Sequence, residues 1–420
     1  MIVVCVCGVY MLTPLHRMTP SIMAGSISGE FNLTASSLGL LSSITFFSFG
    51  LMQMVDGVLI DYYGPRKMLP CFVAFVAAGT LCFAYAPSFG GLLAGRVLIG
   101  LGTSILCVAG LKLFASWFPP STRVRLNGLL LGMGGLGLIL GSGLMGYLCD
   151  AFGWRDANGI IGVVTVVLVV LILCVVRDAP GDAPQSAASP PVSPLAAMRT
   201  VCCNREFAII AGWFCCQFCL HNAFGGLWSG EYLRQVHHLD TVTIGNILNM
   251  LGVGTLVGSV ANAWICDRFY RGVRPIMLVS PLVHLGLFVS LMLWGDSFGI
   301  PALCIWFFLL AAFGMGVMFA GFSVMPDLFA SSIIGTASGL LNTLPSLAVL
   351  ALQPVTGLVL EWVGGVKPTY TAAEFSIAFS VYVGGSLLST VFGYKAYRLG
   401  KGPDGGGNPP ALGHISPVRQ

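Results

Sequence analysis

Charged residues are scarce in this chain of 420 amino acids, and several kinds of protein are excluded by what it lacks. Asp, Glu, Lys and Arg make up 9% of the sequence, whereas soluble globular domains contain about 25%. The net charge of +4 is too small to indicate a nucleic-acid partner. The chain also has no glycine-rich phosphate loop and no nucleophile paired with an acid or base. We therefore predict that it is not an enzyme and needs no cofactor.

The cysteines indicate neither a disulfide framework nor a metal site. Most of the 14 cysteines lie in apolar runs, where a thiol behaves as a small buried hydrophobe. The pattern nearest to a metal site is Cys215, Cys216, Cys219 and His221. His221 lies about 200° around a helix from Cys219 at ~100° per residue, so one helix cannot close a tetrahedral site.

Apolar sequence is abundant, at 56% of all residues with a mean hydropathy of +0.88. A membrane-spanning helix needs roughly 20 mostly apolar residues, and twelve such runs are present. The first residues carry no basic segment and no small-residue cleavage site, which favours a retained span over a signal peptide. The predicted spans are 2–28, 36–60, 68–86, 89–114, 124–148, 157–176, 206–230, 241–265, 275–294, 299–322, 333–361 and 370–396.

The longest polar gap divides these spans into two halves. It is rich in Ala, Pro, Ser and Asp, a composition typical of a flexible linker. We predict an all-α integral membrane protein with an N-terminal six-helix bundle at 1–176, a cytoplasmic linker at 177–205, a C-terminal six-helix bundle at 206–398 and a disordered cytoplasmic tail at 399–420.

The basic residues predict the orientation in the membrane. With both termini on one side, fifteen of the 20 basic residues fall on that side, three on the other and two within spans. The positive-inside rule therefore predicts that both termini are cytoplasmic. The compact loops favour the inner membrane of a bacterium, with the lipid bilayer as the main surrounding partner and the protein as a monomer.

A pattern of glycine, aspartate and basic residues follows the second span and recurs after the eighth. The first copy comprises Gly57, Asp61, Gly64, Arg66 and Lys67, and the second comprises Asp267, Arg268 and Arg271. The aspartates are 206 positions apart, which indicates two structurally similar halves. A carboxylate at a helix end can pair with arginines and hold one side of the molecule shut. The alternative is a generic cluster of charges beside the membrane.

The first copy resembles the signature loop of the major facilitator superfamily. Arg96, Gly100 and Gly102 in the fourth span are similar to a second superfamily pattern, and further matches extend the resemblance over nearly the whole chain. It implies two pseudo-symmetric six-helix bundles that rock about a site at the middle of the membrane, with the glycine–aspartate–basic residues as a conformational latch. For Arg96, a structural role and a relay role remain equally open.

Arg17 is the main candidate for substrate binding. It lies near the middle of the first span, too far from either end to reach water easily, and Pro14 and Pro20 free backbone carbonyls around it. The placement resembles that in superfamily branches that carry organic anions, where a first-helix arginine binds the acid group. Tyr10 and His16 share its span. A structural ion pair is the alternative, and an error in the span boundary is a second one.

The repeat offset of about 205 places His221 and Asn222 opposite His16 and Arg17. Gln217 and Asn342 complete the predicted polar set. A single fixed positive charge suits a carboxylate better than a phosphate dianion. Either His16 or His221 could carry a coupling proton, although a packing role is equally open for both.

The leading hypothesis is a secondary active transporter that moves a small organic anion by alternating access, coupled to protons or another ion. Two alternatives share the same fold. One is an efflux antiporter for drugs or metabolites, against which the fifth span counts because it has many glycines and no proline. The other is a sensor that binds a substrate without moving it.

Overall fold

The computed structural model of the protein describes residues 1–177, 194–270, 272–330 and 333–399. The regular structure in these residues is helical throughout. The long helices are α1 Ile2–Phe31, α2 Ala35–Tyr63, α3 Pro65–Ala84, α4 Phe89–Trp117, α5 and α6 within Arg125–Val175, α7 Arg205–Gln235, α8 Thr241–Phe269, α9 Arg274–Ser297, α10 Ile300–Leu328, α11 Ile334–Gly364 and α12 Ala372–Leu399.

Eleven of the described helical stretches are long and apolar enough to cross a membrane, and one of them crosses twice. Arg125–Val175 has 51 residues and would be about 76 Å long as one helix, more than twice the ~30 Å hydrocarbon core. Gly153 interrupts it with φ 80° and ψ 163°, values that favour glycine. The described helices therefore make twelve crossings, α5 before Gly153 and α6 after it, and the predicted fold class is confirmed.

Short polar caps set where the helices begin. The side chains of Thr34, Ser88, Asn204 and Asp240 each accept a hydrogen bond from a backbone N–H in the first turn of the helix that follows. These bonds satisfy donors that a helix start leaves free. The backbone and side chain of Thr243 both donate to Asp240, which lowers the pKa of that carboxyl below its ordinary value.

The helices pack as two halves with matching partners. In the first half α1 packs on α5, α2 on α4 and α3 on α6, and in the second half α7 packs on α11, α8 on α10 and α9 on α12. Three seams join the halves: α2 with α11, α5 with α8, and α1 with α7. The repeat relates α1 to α7, α2 to α8 and α5 to α11. It therefore exchanges the α2–α11 and α5–α8 seams and maps the α1–α7 seam onto itself, as an approximate two-fold axis requires.

The α5–α8 seam tightens along its length. We call the side at which α1 begins and α12 ends the termini side, and the other the far side. A Cβ added at Gly128, near the termini side, would meet nothing within 4 Å. At Gly135 it would overlap the Leu256 side chain and lie 3.0 Å from the Gly252 carbonyl oxygen, and at Gly143 it would overlap the amide of Asn249. The two helices therefore separate toward the termini side.

The α2–α11 seam has the same gradient. A Cβ at Gly57 would meet nothing within 4 Å, one at Gly50 would lie 2.8 Å from the Ser346 Cβ, and one at Gly39 would lie 2.6 Å from the Gln353 carbonyl oxygen. Both seams are thus closed on the far side and wider on the termini side.

Parts of the predicted linker and tail lie outside the described residues, namely 178–193 and 400–420, and so does Arg271. The end of the linker differs from the flexible segment that its composition predicts. Pro194–Cys202 forms a helix that packs against α7 and α11, with Ala197 and Val201 buried. These two residues are four positions apart and therefore share a helix face, a local pattern that the average composition of the gap conceals.

Gly100 and Gly102 are packing residues of α4. A Cβ at Gly100 would overlap Ser48 and the Thr45 carbonyl of α2, and one at Gly102 would lie 2.5 Å from the Phe72 carbonyl oxygen of α3. The neighbouring atoms include backbone, which cannot rotate away as a side chain can. The two glycines therefore allow α4 to approach both helices closely.

We expect Gly102→Ala to destabilise the protein by about 1–3 kcal/mol, because the added methyl group forces α3 and α4 apart. Gly286→Ala is the matched control, since a Cβ at that helical position meets nothing within 4 Å and alanine favours the helix. The measurement is thermal unfolding of the purified protein in detergent. Equal midpoints for the two variants would contradict this account of α4 packing.

Candidate substrate site

The Arg17 side chain lies between the two halves, surrounded by aromatic rings. Its guanidinium carbon is 4.5 Å from the ring centre of Phe49 and 5.4 Å from that of Phe46, both on α2, and 5.6 Å from that of Phe218 on α7. We call these three rings the aromatic cage. Each can attract a cation through its π-face. The side chain is half-buried, so the charge is held at the junction of the halves.

Arg17 forms no ion pair or hydrogen bond with the described residues. The acidic side chains buried in these helices are engaged elsewhere: Asp56 accepts a hydrogen bond from Ser104, and Glu231 accepts one from Gln235. The hydroxyl of Tyr10 and the thiol of Cys107 lie near enough to interact with Arg17 electrostatically. A guanidinium has five N–H donors, so the site can accept an anionic ligand. The described residues therefore do not provide the structural ion pair that is the alternative role for Arg17.

The backbone of α1 is supported from α4 beside this charge. Pro20 has no N–H to bond the carbonyl of His16, which a regular helix would pair with it. Arg96 fills the gap, donating from Nη1 to the His16 carbonyl oxygen at 3.1 Å, and Thr19 Oγ1 lies 3.1 Å from the same oxygen. Arg96 is buried, with its guanidinium carbon 5.6 Å from the ring centre of Phe83. Arg96 thus stabilises the segment of α1 that carries Arg17.

His16 faces away from the aromatic cage. Its Nε2 lies 3.3 Å from Thr80 Oγ1 on α3, and the ring is buried inside the first half. Adjacent residues on a helix point about 100° apart, which explains why His16 and Arg17 face different surroundings.

The polar residues predicted from the second half also point into their own bundle. Gln217 Nε2 donates to Ser280 Oγ at 2.8 Å. Asn222 Nδ2 donates to the Phe218 carbonyl at 2.9 Å. His221 is fully buried and interacts electrostatically with His284 and with Arg17, without a hydrogen bond to either among the described residues. Neither the Gln217 amide nor the Asn222 amide forms a hydrogen bond with Arg17.

Asn342 and Tyr10 are half-buried, on α11 and α1. The Tyr10 hydroxyl lies 3.6 Å from where a Cβ of Gly134 would be, so it borders α5.

Sequence reasoning missed the aromatic cage and Gln353. The side chain of Gln353 donates from Nε2 to the backbone carbonyl of Ala223 at 3.3 Å. The backbone carbonyl of Gln353 accepts a hydrogen bond from Trp228 Nε1 at 3.2 Å. No sequence signal separates Phe46, Phe49 and Phe218 from the phenylalanines that face lipid. A buried glutamine within an apolar run was the available signal for Gln353.

The predicted latch is described in part. Gly64 ends α2 with φ 77° and ψ 152°, a conformation that favours glycine. Arg66, Lys67, Asp267 and Arg268 are exposed, whereas the side chain of Asp61 lies outside the described atoms.

Lys112 of α4 donates to the carbonyl of Ile60 at 3.0 Å, which ties α4 to the end of α2 beside the latch loop. The described residues contain no group of three His, Cys, Asp or Glu side chains placed to hold a metal ion.

Comparison with known proteins identifies the family. The model of the Major Facilitator Superfamily matches residues 6–352. The chain is 24% identical over 386 residues to the probable sulfoacetate transporter SauU of Cupriavidus necator, covering 87% of this chain and 88% of that protein. It is 25% identical over 374 residues to the hexuronate transporter of Bacillus subtilis, covering 83% and 85%.

The fold is shared with a solved structure. A bacterial homologue of the human lysosomal transporter Spinster, crystallised in an inward-facing and unoccupied conformation, superposes with a TM-score of 0.75 at 16% identity, covering 94% of this chain and 96% of that one. The family and the named relatives are transporters, so the expectation that the chain is not an enzyme is confirmed. Since the family match runs from the first span into the eleventh, on a fold of two six-helix halves, the chain belongs to the Major Facilitator Superfamily.

Proposed function

We propose that this multi-pass membrane protein moves a small organic anion by alternating access, with Arg17 binding the acid group. One observation carries the proposal: a guanidinium at the junction of the two halves has aromatic neighbours but no anionic partner among the described residues. A charge at this depth is expensive unless it serves a function. An arriving carboxylate can accept two parallel N–H bonds from it.

A carboxylate fits this site better than a phosphate ester. The described titratable groups that interact with the guanidinium are Tyr10, Cys107 and His221. None of them is a permanently charged side chain, so the site offers one fixed positive charge. Two relatives are named for transport of sulfoacetate and of hexuronates, both organic acids, which supports the same class here.

Hydrogen bonds between the two halves on the far side support a site that opens toward the termini side. On the far side, the Ser36 N–H donates to Glu361 Oε1 at 2.7 Å and Arg234 Nη2 donates to the Ile22 carbonyl at 2.8 Å, each bond joining the two halves. We propose that the termini side is cytoplasmic, since most basic residues lie there, so the state described faces the cytoplasm. Residues 1–176 and 206–398 are the two bodies that rock, in a monomer placed in a bacterial inner membrane.

We also propose that transport is coupled to protons. His16 and His221 stay candidates as proton carriers from the sequence. Both rings are buried within their own halves, so coupling through either requires that its half rearranges internally.

The first prediction concerns Arg17. We expect Arg17→Gln to weaken carboxylate binding by roughly 10- to 150-fold, because a charge-assisted hydrogen bond contributes about 1.5–3 kcal/mol. Arg17→Lys should retain weak binding, since it keeps the charge and loses the planar fork. The measurements are ligand-induced thermal stabilisation and counterflow in proteoliposomes, with sulfoacetate, D-glucuronate and phenylacetate as probes.

The matched control is Arg155→Gln, which removes an arginine paired with Glu30 outside the site and should bind as the wild type does. If the probes stabilise Arg17→Gln as strongly as the wild type, Arg17 is not the anion-binding group.

The second prediction concerns the far-side closure. Asn249 Oδ1 accepts from Ser142 Oγ at 2.9 Å and from the Gly143 N–H at 3.0 Å, both across the α5–α8 seam. We expect Asn249→Ala to weaken this closure by about 1 kcal/mol per lost bond and to speed amide hydrogen exchange in the far-side halves of α5 and α8. Exchange is measured by mass spectrometry on the detergent-solubilised protein.

Asn246→Ala is the control, because that exposed side chain makes one long bond of 3.4 Å to the Tyr147 hydroxyl. Unchanged exchange in Asn249→Ala would show that the seam does not depend on this amide.

A further inference from the structure

The surroundings of Arg17 carry information on the body of the substrate as well as on its acid group. The three rings of the aromatic cage lie 4.5–5.6 Å from the guanidinium carbon. A carboxylate bound to that guanidinium therefore brings the atoms next to it within reach of phenyl faces. Such faces favour apolar and aromatic groups, which pack against them edge-to-face or offset.

Most of the polar groups predicted for this site are engaged elsewhere, while the Tyr10 hydroxyl and the Cys107 thiol stay near Arg17. Gln217 bonds Ser280, Asn222 bonds a backbone carbonyl, and His16 contacts Thr80. A polyhydroxylated acid loses water from each hydroxyl on binding and needs a protein partner for each one. The described residues around Arg17 provide few such partners, whereas an apolar ring needs none.

We infer that the anion which Arg17 binds carries an apolar, ring-bearing body, so that the substrate class is an arylcarboxylate rather than a sugar acid. This inference rests on the proposed function, since it assumes that Arg17 binds a carboxylate. It makes Phe49, the ring nearest to the guanidinium, a specificity-determining residue.

The test compares phenylacetate with D-glucuronate on the full-length protein by thermal stabilisation and counterflow. We expect phenylacetate to bind at least about tenfold more tightly. Phe49→Ala should remove most of this preference, and Phe49→Tyr should keep it because the ring remains. Phe75→Ala, which changes an exposed ring on α3, is the control.

The outcomes separate the two levels of the proposal. Tighter binding of D-glucuronate, lost in Arg17→Gln, would overturn the arylcarboxylate inference and leave Arg17 as the anion-binding group. Binding of both probes that is indifferent to Arg17 would overturn the proposed function itself. A phenylacetate preference that survives Phe49→Ala would overturn the role of the aromatic cage.

A second inference comes from Asp56, which is independent of the Arg17 site. This carboxyl is fully buried within α2. Its Oδ1 accepts from Ser104 Oγ of α4 at 3.2 Å, and its Oδ2 has no hydrogen-bond partner among the described atoms. A carboxylate with one oxygen unsatisfied in an apolar interior is costly, so burial favours the protonated form, whose O–H carries no net charge.

No cation on the neighbouring helices compensates this carboxyl within the described residues. Lys112 bonds the Ile60 carbonyl, four positions further along α2, and Arg96 bonds the His16 carbonyl. The charged residues on the helices that pack against α2 are Arg17 and Glu30 of α1, Arg66 and Lys67 of α3, Arg96 and Lys112 of α4, Arg205, Glu206, Glu231 and Arg234 of α7, and Glu361 of α11.

Asp56 also lies where the α2–α11 seam begins to widen. A Cβ at Gly339 of α11 would lie 3.7 Å from the carbonyl oxygen of Gln53, one turn before Asp56, while Gly57 on the next position has nothing within 4 Å. Because its bonded partner, Ser104, lies on α4 of the same half, water reaches this carboxyl only if α2 moves against α4 as well as against α11.

We propose that Asp56, in place of His16 or His221, carries the coupling proton. In one conformation a hydronium ion gives its proton to Oδ2 and leaves as water, which makes the carboxyl neutral and allows it to be buried. When α2 moves against α4 in another conformation, water reaches the carboxyl and takes the proton back as hydronium on the other side of the membrane. One proton is carried in each transport cycle. The proposal for Asp56 rests on the proposed transport function.

The test uses Asp56→Asn in proteoliposomes with labelled phenylacetate, or D-glucuronate if that is the acid transported. We expect counterflow at equal pH to persist, because it needs no net proton movement, and accumulation driven by a pH gradient to fall at least about tenfold. Asp156→Asn, which neutralises an exposed carboxyl on α6, is the control. A pH-sensitive dye should report proton uptake with substrate in the wild type and none in Asp56→Asn.

If Asp56→Asn accumulates substrate along a pH gradient as well as the wild type does, Asp56 is not the proton carrier. The same conclusion follows if Asp56→Asn loses counterflow while it still unfolds at the wild-type temperature. Absence of counterflow in the wild type would contradict the proposed function instead.

Discussion

One positive charge, on Arg17, is held in the middle of a membrane-spanning helix without a counter-ion among the described residues, and much of the structure can be understood from it. Insertion scales assign roughly +2.5 to +3.5 kcal/mol to an arginine at this depth, and an exposed or partly desolvated cation–π contact returns about 0.5–2 kcal/mol. Three rings from α2 and α7 therefore offset part of the cost. What remains favours an anionic ligand, and because the rings come from both halves, that ligand would contact both rocking bodies.

The position of this charge depends on a second arginine. Pro20 leaves the His16 carbonyl without its helical donor, and Arg96 supplies the missing hydrogen bond from α4. Gly100 and Gly102 let α4 come close to α2 and α3, so the guanidinium of Arg96 reaches α1 from a closely packed helix. The arginine and the glycines of this pattern thus have one structural task, to hold the broken segment of α1 against its own bundle. Of the two roles left open for Arg96, its contacts favour the structural one.

The fold was predictable from the sequence to a much greater extent than the site. Apolar runs and turn residues are local signals, and each predicted span overlaps an observed helix. The repeat offset correctly paired the halves but could not give side-chain direction. A shift of one residue turns a helical side chain by about 100°, which separates His16 from Arg17 and places His221 inside its own bundle. The aromatic cage escaped notice because a phenylalanine facing a substrate and one facing lipid have the same chemistry.

The glycine seams explain how such a site can face each side of the membrane in turn. At Gly39 and Gly50 the α2–α11 seam is made by backbone and by Ser346, and at Gly135 and Gly143 the glycines of α5 pack against Leu256, Asn249 and the backbone of α8. Each contact has a glycine on one side, so a sliding or tilting motion has side chains to repack on one helix only. The gaps at Gly128 and Gly57 lie at the termini-side ends of the same two seams. A rocking motion that closes them must loosen the far-side bonds of Ser36 and Arg234, because both seams belong to the same rigid halves. On the proposed function, a ligand bound at Arg17 would shift the equilibrium between two sets of contacts of similar kind, and its differential free energy of binding need only match the difference between them.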